Sequence, residues 1–283
     1  MDERGRILAQ AFTTRCIRDL ASKNNPLPLG RLAPLIDLAE PDATLAQAFD
    51  GAYRVLTQDY RCEYVYANTL TITLSTDPTA SNAISGLRIF MSIADLVIVD
   101  HQVSAYEVKT DLDSFARLEL QLHSYGTCCE FVHLVTSPAK TARALAEAPP
   151  HVGVVSLDEA GAVDTVRGAT GGLDRINCST LFRVLRKDEH LAILGRQVGY
   201  TVDVQPARLW QRLNELFMQL PVDVAYSEFS TELRRRDLEK RLAALDAGLP
   251  ESLRAAATGL ALSRAAWRRL GALLTRPAAT FRV

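Results

Sequence analysis

ADLVIVDHQVSAYEVKTDLDSFARLELQLHSY, residues 94–125, is the stretch whose reading decides the fold. Residues 94–99 and 103–109 are rich in Val, Ile, Leu and Tyr, the composition of strands. Asp100-His101-Gln102 between them reads as a short polar turn. A hairpin centred on His101 pairs Val99 with Val103 and, by the same count, Asp95 with Glu107. Directly opposed residues carry Cβ atoms roughly 4.5–5.5 Å apart and share a face. Lys109, two residues beyond Glu107, points the same way. Two carboxylates and an ammonium are therefore expected together at one end of a mostly apolar sheet.

Charges in such surroundings are costly unless they are paired or bound to a metal. Opposed carboxylates repel, and an oxygen-only pair suits Mg²⁺ or Mn²⁺ better than Zn²⁺. A lysine beside such a pair can orient water or stabilise charge developing on a phosphoryl oxygen. The competing reading is a structural ion pair of Lys109 with Asp95 or Glu107. The next segment speaks to the choice. Asp111 or Asp113 is expected to cap a helix that ends at Gly126. Ser114, Leu118, Gln121 and Tyr125 recur on one face of it. That face packs on the sheet, yet it brings an amide and a phenol towards the acids.

The order Asp95, Glu107-x-Lys109, Gln121-x-x-x-Tyr125 resembles the PD-(D/E)XK nuclease superfamily in its RecB-like form. More narrowly, CEYVYANTL (62–70), the stretch 94–125 and LFRVLRKDEHL (181–191) resemble a family of uncharacterised bacterial and phage proteins assigned to that superfamily. The resemblance covers most of residues 55–275, with its chemical content in 63–125. It implies a restriction-endonuclease-like α/β fold: a mixed-sheet core flanked by helices, with helical N- and C-terminal additions. It also implies that Asp95 and Glu107 bind Mg²⁺ or Mn²⁺, that Glu63 assists from an earlier helix, and that Lys109 is catalytic. Gln121 and Tyr125 would orient Lys109 or the scissile phosphate. Ala94 stands where the superfamily signature has proline.

The rest of the chain supplies context. Its 283 residues, 48% hydrophobic and 23% charged, have the composition of a soluble globular protein with ample core. No secretory leader is read at the charged N-terminus, and no apolar run approaches the roughly 20 residues of a membrane span. Five cysteines without C-x-x-C spacing read as free thiols in a reducing cytoplasm. Residues 1–178 hold 15 Lys/Arg against 22 Asp/Glu (−7), and residues 179–283 hold 17 against 11 (+6). The basic half points to a phosphate backbone or an acidic partner, with Arg234-Arg235-Arg236 as candidate nucleic-acid contacts; solvated arginine-rich helices are the alternative. No H-E-x-x-H, G-x-S-x-G, P-loop or dinucleotide fingerprint is present.

Helices are expected over 3–22, near 31–39, 44–58 and 60–75, with a break at Asp77-Pro78. A strand over 84–93 should lead into the hairpin, and a further strand over 129–136 should follow the Gln121 helix. A short helix near 138–147 and a hairpin at 151–168 come next. The remainder reads as helices through 181–194, 206–220, 231–245 and beyond Pro250. Gly168–Gly172 is the expected boundary. The division is a helical region 1–58, a nuclease-like core 59–172 and a helical region 173–283. The expected function is metal-dependent hydrolysis of nucleic acid, DNA rather than RNA, with no membrane partner and with a homodimer or partner protein left open. The alternative is a non-catalytic nucleic-acid-binding or defence-complex subunit that keeps the nuclease fold.

Overall fold

The computed structural model describes residues 3–75, 77 and 79–282, so Pro78 of the expected break lies outside the described residues. The N-terminal part forms α1 (Glu3–Ala9), α2 (Thr14–Ala21), α3 (Leu29–Ile36), α4 (Leu45–Asp59) and α5 (Glu63–Leu74). The single helix expected over 3–22 is interrupted because Thr13 leaves helical geometry (φ −70°, ψ 145°). Its hydroxyl then accepts the Cys16 N–H and starts α2 afresh. At α4, Thr44 and Gln47 form a reciprocal capping box.

Six strands follow in one mixed sheet: β1 (Asn82–Ile89), β2 (Ser92–Val99), β3 (Val103–Lys109), β4 (Phe131–Thr136), β5 (Gly153–Leu157) and β6 (Val163–Arg167). Their spatial order is their chain order. The β1–β2, β2–β3 and β5–β6 pairs are antiparallel, and β3–β4–β5 are parallel. Parallel neighbours need crossovers, supplied by α6 (Leu118–Gly126) and α7 (Thr141–Glu147). The strand expected over 84–93 is instead two strands joined at Phe90-Met91. The chain is thus an α/β protein with helical regions at both ends of a mixed-sheet core.

Beyond the sheet run α8 (Cys178–Val184), α9 (Lys187–Val198), α10 (Pro206–Phe217), α11 (Val222–Arg235), α12 (Leu238–Asp246), α13 (Arg254–Thr258) and α14 (Arg264–Leu274). Two expected continuous helices are broken. Leu185 and Arg186 turn extended between α8 and α9, and Asp237 adopts left-handed geometry between α11 and α12. Among the described residues no helix is long and apolar enough to cross a membrane.

Apolar packing divides the chain differently from its linear order. One face of the sheet packs with α6 and with residues as far as Leu233. The other face carries Leu96, Ile98, Tyr106 and Val108 against Tyr66 and Leu70 of α5. A separate core joins α1–α4 to the last part of the chain, from Ala243 to Phe281. The backbone knits those two ends together, with Leu45 N–H donating to Arg276 O and Ala278 N–H to Ala43 O. The expected C-terminal region 173–283 is therefore shared between two cores, because α12–α14 bury their apolar faces on the N-terminal helices.

The β2–β3 hairpin adopts the expected register, from Val99↔Val103 to Leu96↔Tyr106. Its turn is held by Asp100, whose Oδ1 accepts the Gln102 N–H. The ladder stops one step short of the acids. Asp95 uses its own carboxylate in place of the ladder, Oδ2 accepting the Val108 N–H at 2.7 Å. On the other side the β1–β2 register passes from Ser85↔Leu96 to Leu87↔Ala94, so Gly86 and Asp95 fall between. Ala94 and Val97, three residues apart, pack in the same core, so strict alternation fails at Asp95. Gly86 sits at φ +68°, which only glycine adopts cheaply. Gly86→Ala should cost about 1–2 kcal/mol, read as a lowered urea midpoint with unchanged slope.

Candidate active site

Glu107 and Lys109 stand two residues apart at the end of β3, where alternation sends them to one face. Lys109 Nζ donates to Glu107 Oε1 at 2.6 Å and to Gln121 Oε1 at 2.9 Å. Tyr125, one turn beyond Gln121 on α6, places its hydroxyl 2.6 Å from Glu107 Oε2 and 2.8 Å from the Ile93 carbonyl. The strand acid, the strand lysine, the helix amide and the helix phenol thus form one connected network. His123 is exposed on the outer side of α6.

The loop between β3 and α6 differs from expectation. α6 begins at Leu118, and no side chain caps it at Arg117. Asp113 closes its own turn, accepting from Thr110 N and Oγ1 at 2.9 and 2.8 Å, while Asp111 accepts from Ser137 Oγ. Lys140 Nζ ties the loop down through the Thr110 and Asp113 carbonyls. The two aspartates fit a tight loop better than a cap because Phe115 is buried between them and the helix.

Electrostatics bind the acids into one group. Burial, and then repulsion from Glu107 and Glu63, push Asp95 up to about 8 against the opposing pull of the Val108 N–H and Lys109. Glu63 opens α5 as an exposed residue. Its carboxyl is nevertheless held above the ordinary range by local desolvation and then by Asp113 and Glu107, with Lys109 opposing. Burial and the Glu107 charge raise the Tyr125 phenol well above its usual value. Glu107 and Lys109 are only 1% and 7% exposed.

These residues fit a hard divalent cation in donor chemistry, since the carboxylates are oxygen ligands whose mutual repulsion a cation would relieve. They do not form a closed cage. Among the described residues no group of three or more His, Cys, Asp or Glu stands ready to hold a metal. Both Glu107 oxygens are engaged, one by Lys109 and one by Tyr125. Asp95 and Glu107 supply strand carboxylates here, and Glu63 adds its charge to theirs from α5. Asp113, one of two aspartates expected to cap the helix, instead adds its charge to that of Glu63.

The arginine triplet does not act as one surface. Arg236 is buried, its guanidinium held by Glu189 at 2.6 and 2.7 Å and by the Val184 carbonyl. Arg234 donates to the Asp100 carbonyl, and Arg235 is exposed. Arg236 as a nucleic-acid contact is thereby corrected: it joins α11 to α9. Breaking a buried pair by removing one partner leaves the other charge stranded. Arg236→Ala should therefore cost about 3–5 kcal/mol of stability, measured by denaturant unfolding, whereas Arg235→Ala should cost almost none. A cavity of about 500 Å³ lies between β1, α5 and α12–α14, near Ile72, Leu87, Arg254 and Trp267; no residue of the acid–lysine network lines it.

A family model described as Bacteriophage P4 protein cII matches residues 59–236. The matched span runs from the end of α4 through α11, taking in the sheet and the helices packed on it, and leaves out most of the core shared by the two chain ends. No curated protein matches the chain. Among solved structures it is similar to the SPO1766 protein of unknown function from Silicibacter pomeroyi, at 13% identity and a TM-score of 0.33. That likeness covers 49% of this chain and 94% of the other, and at this score it carries no argument.

Proposed function

The chain belongs to the family of Bacteriophage P4 protein cII, and from that premise we propose that it is a metal-dependent nuclease of the PD-(D/E)XK superfamily that hydrolyses phosphodiester bonds, those of DNA rather than RNA. The observation that carries the proposal is the network Gln121–Lys109–Glu107–Tyr125 beside Asp95. A buried ion pair is weak as a stabilising device, since well-packed apolar residues of similar volume often do as well or better. Here four polar side chains converge at one sheet end, at the carboxyl ends of the parallel strands. Ligands of open α/β sheets commonly bind there.

Each residue has a role that follows from its contacts. Asp95 and Glu107 would hold Mg²⁺ or Mn²⁺, which when bound polarises the phosphoryl oxygen and acidifies water. Lys109, fixed by Glu107 and Gln121, presents its ammonium where charge develops on the scissile phosphate. Tyr125 locks the Glu107 carboxylate to the β2 backbone, and Gln121 fixes the lysine's direction. Glu63, on a separate helix, tunes the charge of Asp95.

The non-catalytic reading, a nucleic-acid-binding or defence-complex subunit, also has a specific observation in its favour: both Glu107 oxygens are already engaged. Plasmid, single-stranded DNA and RNA incubated with Mg²⁺, Mn²⁺ or EDTA separate the two. The nuclease reading requires cleavage that EDTA abolishes. Salt-sensitive binding without cleavage of any of them selects the other.

A further inference from the structure

The turn between β1 and β2 is built from residues that neither the core nor the turn requires. Ile89↔Ser92 closes it, leaving Phe90-Met91 as a two-residue connection where Asn-Gly or Asp-Gly is favoured. Phe90 sits at φ +50°, a left-handed conformation that is an outlier for a bulky side chain. Its ring gains little by burial, for Phe90 is 47% exposed, with Met91 at 67% and Ile93 at 48%. Strain of this kind clusters at active sites and ligand clamps, where it serves a function.

The position of the turn suggests what that is. β2 runs antiparallel to β3, so the start of β2 and the β1–β2 turn project from the sheet end where β3 finishes at Lys109. The Tyr125 hydroxyl spans the two, 2.8 Å from the Ile93 carbonyl and 2.6 Å from Glu107. Phe90 is three residues from Ile93 and so at most about 10 Å away, within three steps of a nucleic-acid strand at about 3.4 Å each. The guanidinium of Arg88, a residue exposed and paired with Ile93 in the ladder, makes no hydrogen bond or ion pair with another described residue. An exposed ring, apolar neighbours and an uncommitted guanidinium form a stacking surface beside a phosphate contact.

We propose that the Phe90-Met91 turn is a stacking platform for an unpaired base, with Arg88 on the adjoining phosphate, so that the substrate of this site is single-stranded or frayed nucleic acid. Resting on the nuclease reading, it names the substrate class of that site. A fully paired duplex offers no free base face near its middle, whereas every unpaired base has one, and stacking of this kind tolerates any sequence.

The test is binding in EDTA, where no metal-dependent turnover occurs, with an oligothymidine carrying one 2-aminopurine and with a blunt duplex. Wild type should bind the single strand and quench the 2-aminopurine. Phe90→Ala should bind it about tenfold more weakly, without quenching, while Phe90→Trp retains both. Affinity for the blunt duplex should change less than twofold in either variant. Phe90→Gly should lose the stacking and yet melt about 2–4 °C higher, since it relieves the left-handed strain. The platform is overturned if Phe90→Ala binds the single strand within twofold of wild type, if the duplex suffers equally, or if wild type binds neither. Cleavage in Mg²⁺ is scored separately. Phe90-dependent binding without cleavage sinks the nuclease reading alone, and cleavage with Phe90-independent binding sinks the platform alone.

Discussion

Lys109→Ala is expected to lower metal-dependent cleavage by at least 10²–10³-fold, the effect of removing one preorganised charge from a developing oxyanion, about 3–4 kcal/mol. The variant also strands Glu107, which is 1% exposed, so some loss of stability must accompany it. Lys109→Met combined with Glu107→Gln separates the two effects. The double variant keeps the side-chain volumes and removes both charges, and its stability should return to within about 1–2 kcal/mol of wild type. Under the nuclease reading it stays inactive while folding normally by circular dichroism. If instead it cleaves like wild type, the pair serves only packing and the catalytic assignment of Lys109 and Glu107 fails. Asp95→Ala should be as inactive as Lys109→Ala, because no other carboxylate faces Glu107 from β2.

Much of this arrangement was legible in the sequence, for identifiable reasons. The hairpin register follows from a three-residue polar turn between two β-branched runs, and the side-chain period of two then fixes which residues share a face. Helical spacing placed Gln121 and Tyr125 one turn apart, and the network confirms that they meet Lys109 and Glu107. What escaped is what local pattern does not encode. Asp95 interrupts the alternation by taking the Val108 N–H itself, which no propensity signals. Phe90-Met91 sits between Ile89 and Ser92 with no Gly, Pro, Asn or Asp in the turn itself, so the turn there left no compositional mark. Arg236 looked like its two neighbours in a basic triplet. Only the approach of α9, bringing Glu189, makes it a buried structural ion. The two ends of the chain read as separate helical regions because nothing local tells α14 that its partner is α2.

Asp95 carries the last expectation, a pH dependence with a definite sign. Its folded pKa is raised to about 8 by burial and by Glu107 and Glu63, whereas an unfolded aspartate titrates near 3.9. The folded state therefore holds a proton that the unfolded state has released across the window from about pH 4 to about pH 8. The stability contributed by protonated Asp95 is complete below pH 4, declines as pH rises through the window, and is gone above about pH 8. At 1.36 kcal/mol per unit the gap sets a ceiling of roughly 5–6 kcal/mol, shared among coupled acids, so a loss of a few kcal/mol is expected. Asp95→Asn keeps an oxygen for the Val108 N–H and cannot ionise. Its stability relative to wild type, from urea midpoints, should grow steadily between pH 5 and pH 8.5, since groups remote from Asp95 titrate alike in both proteins and cancel. Mg²⁺ should raise the wild-type midpoint at pH 8.5 and leave Asp95→Asn nearly unmoved, because an ion that binds the charged carboxylates favours only the folded form able to present them. A stability difference that stays flat with pH would mean that Asp95 is ionised throughout, already satisfied by Lys109. The acids would then form a settled ion-pair cluster, with no unmet charge left for a cation to relieve.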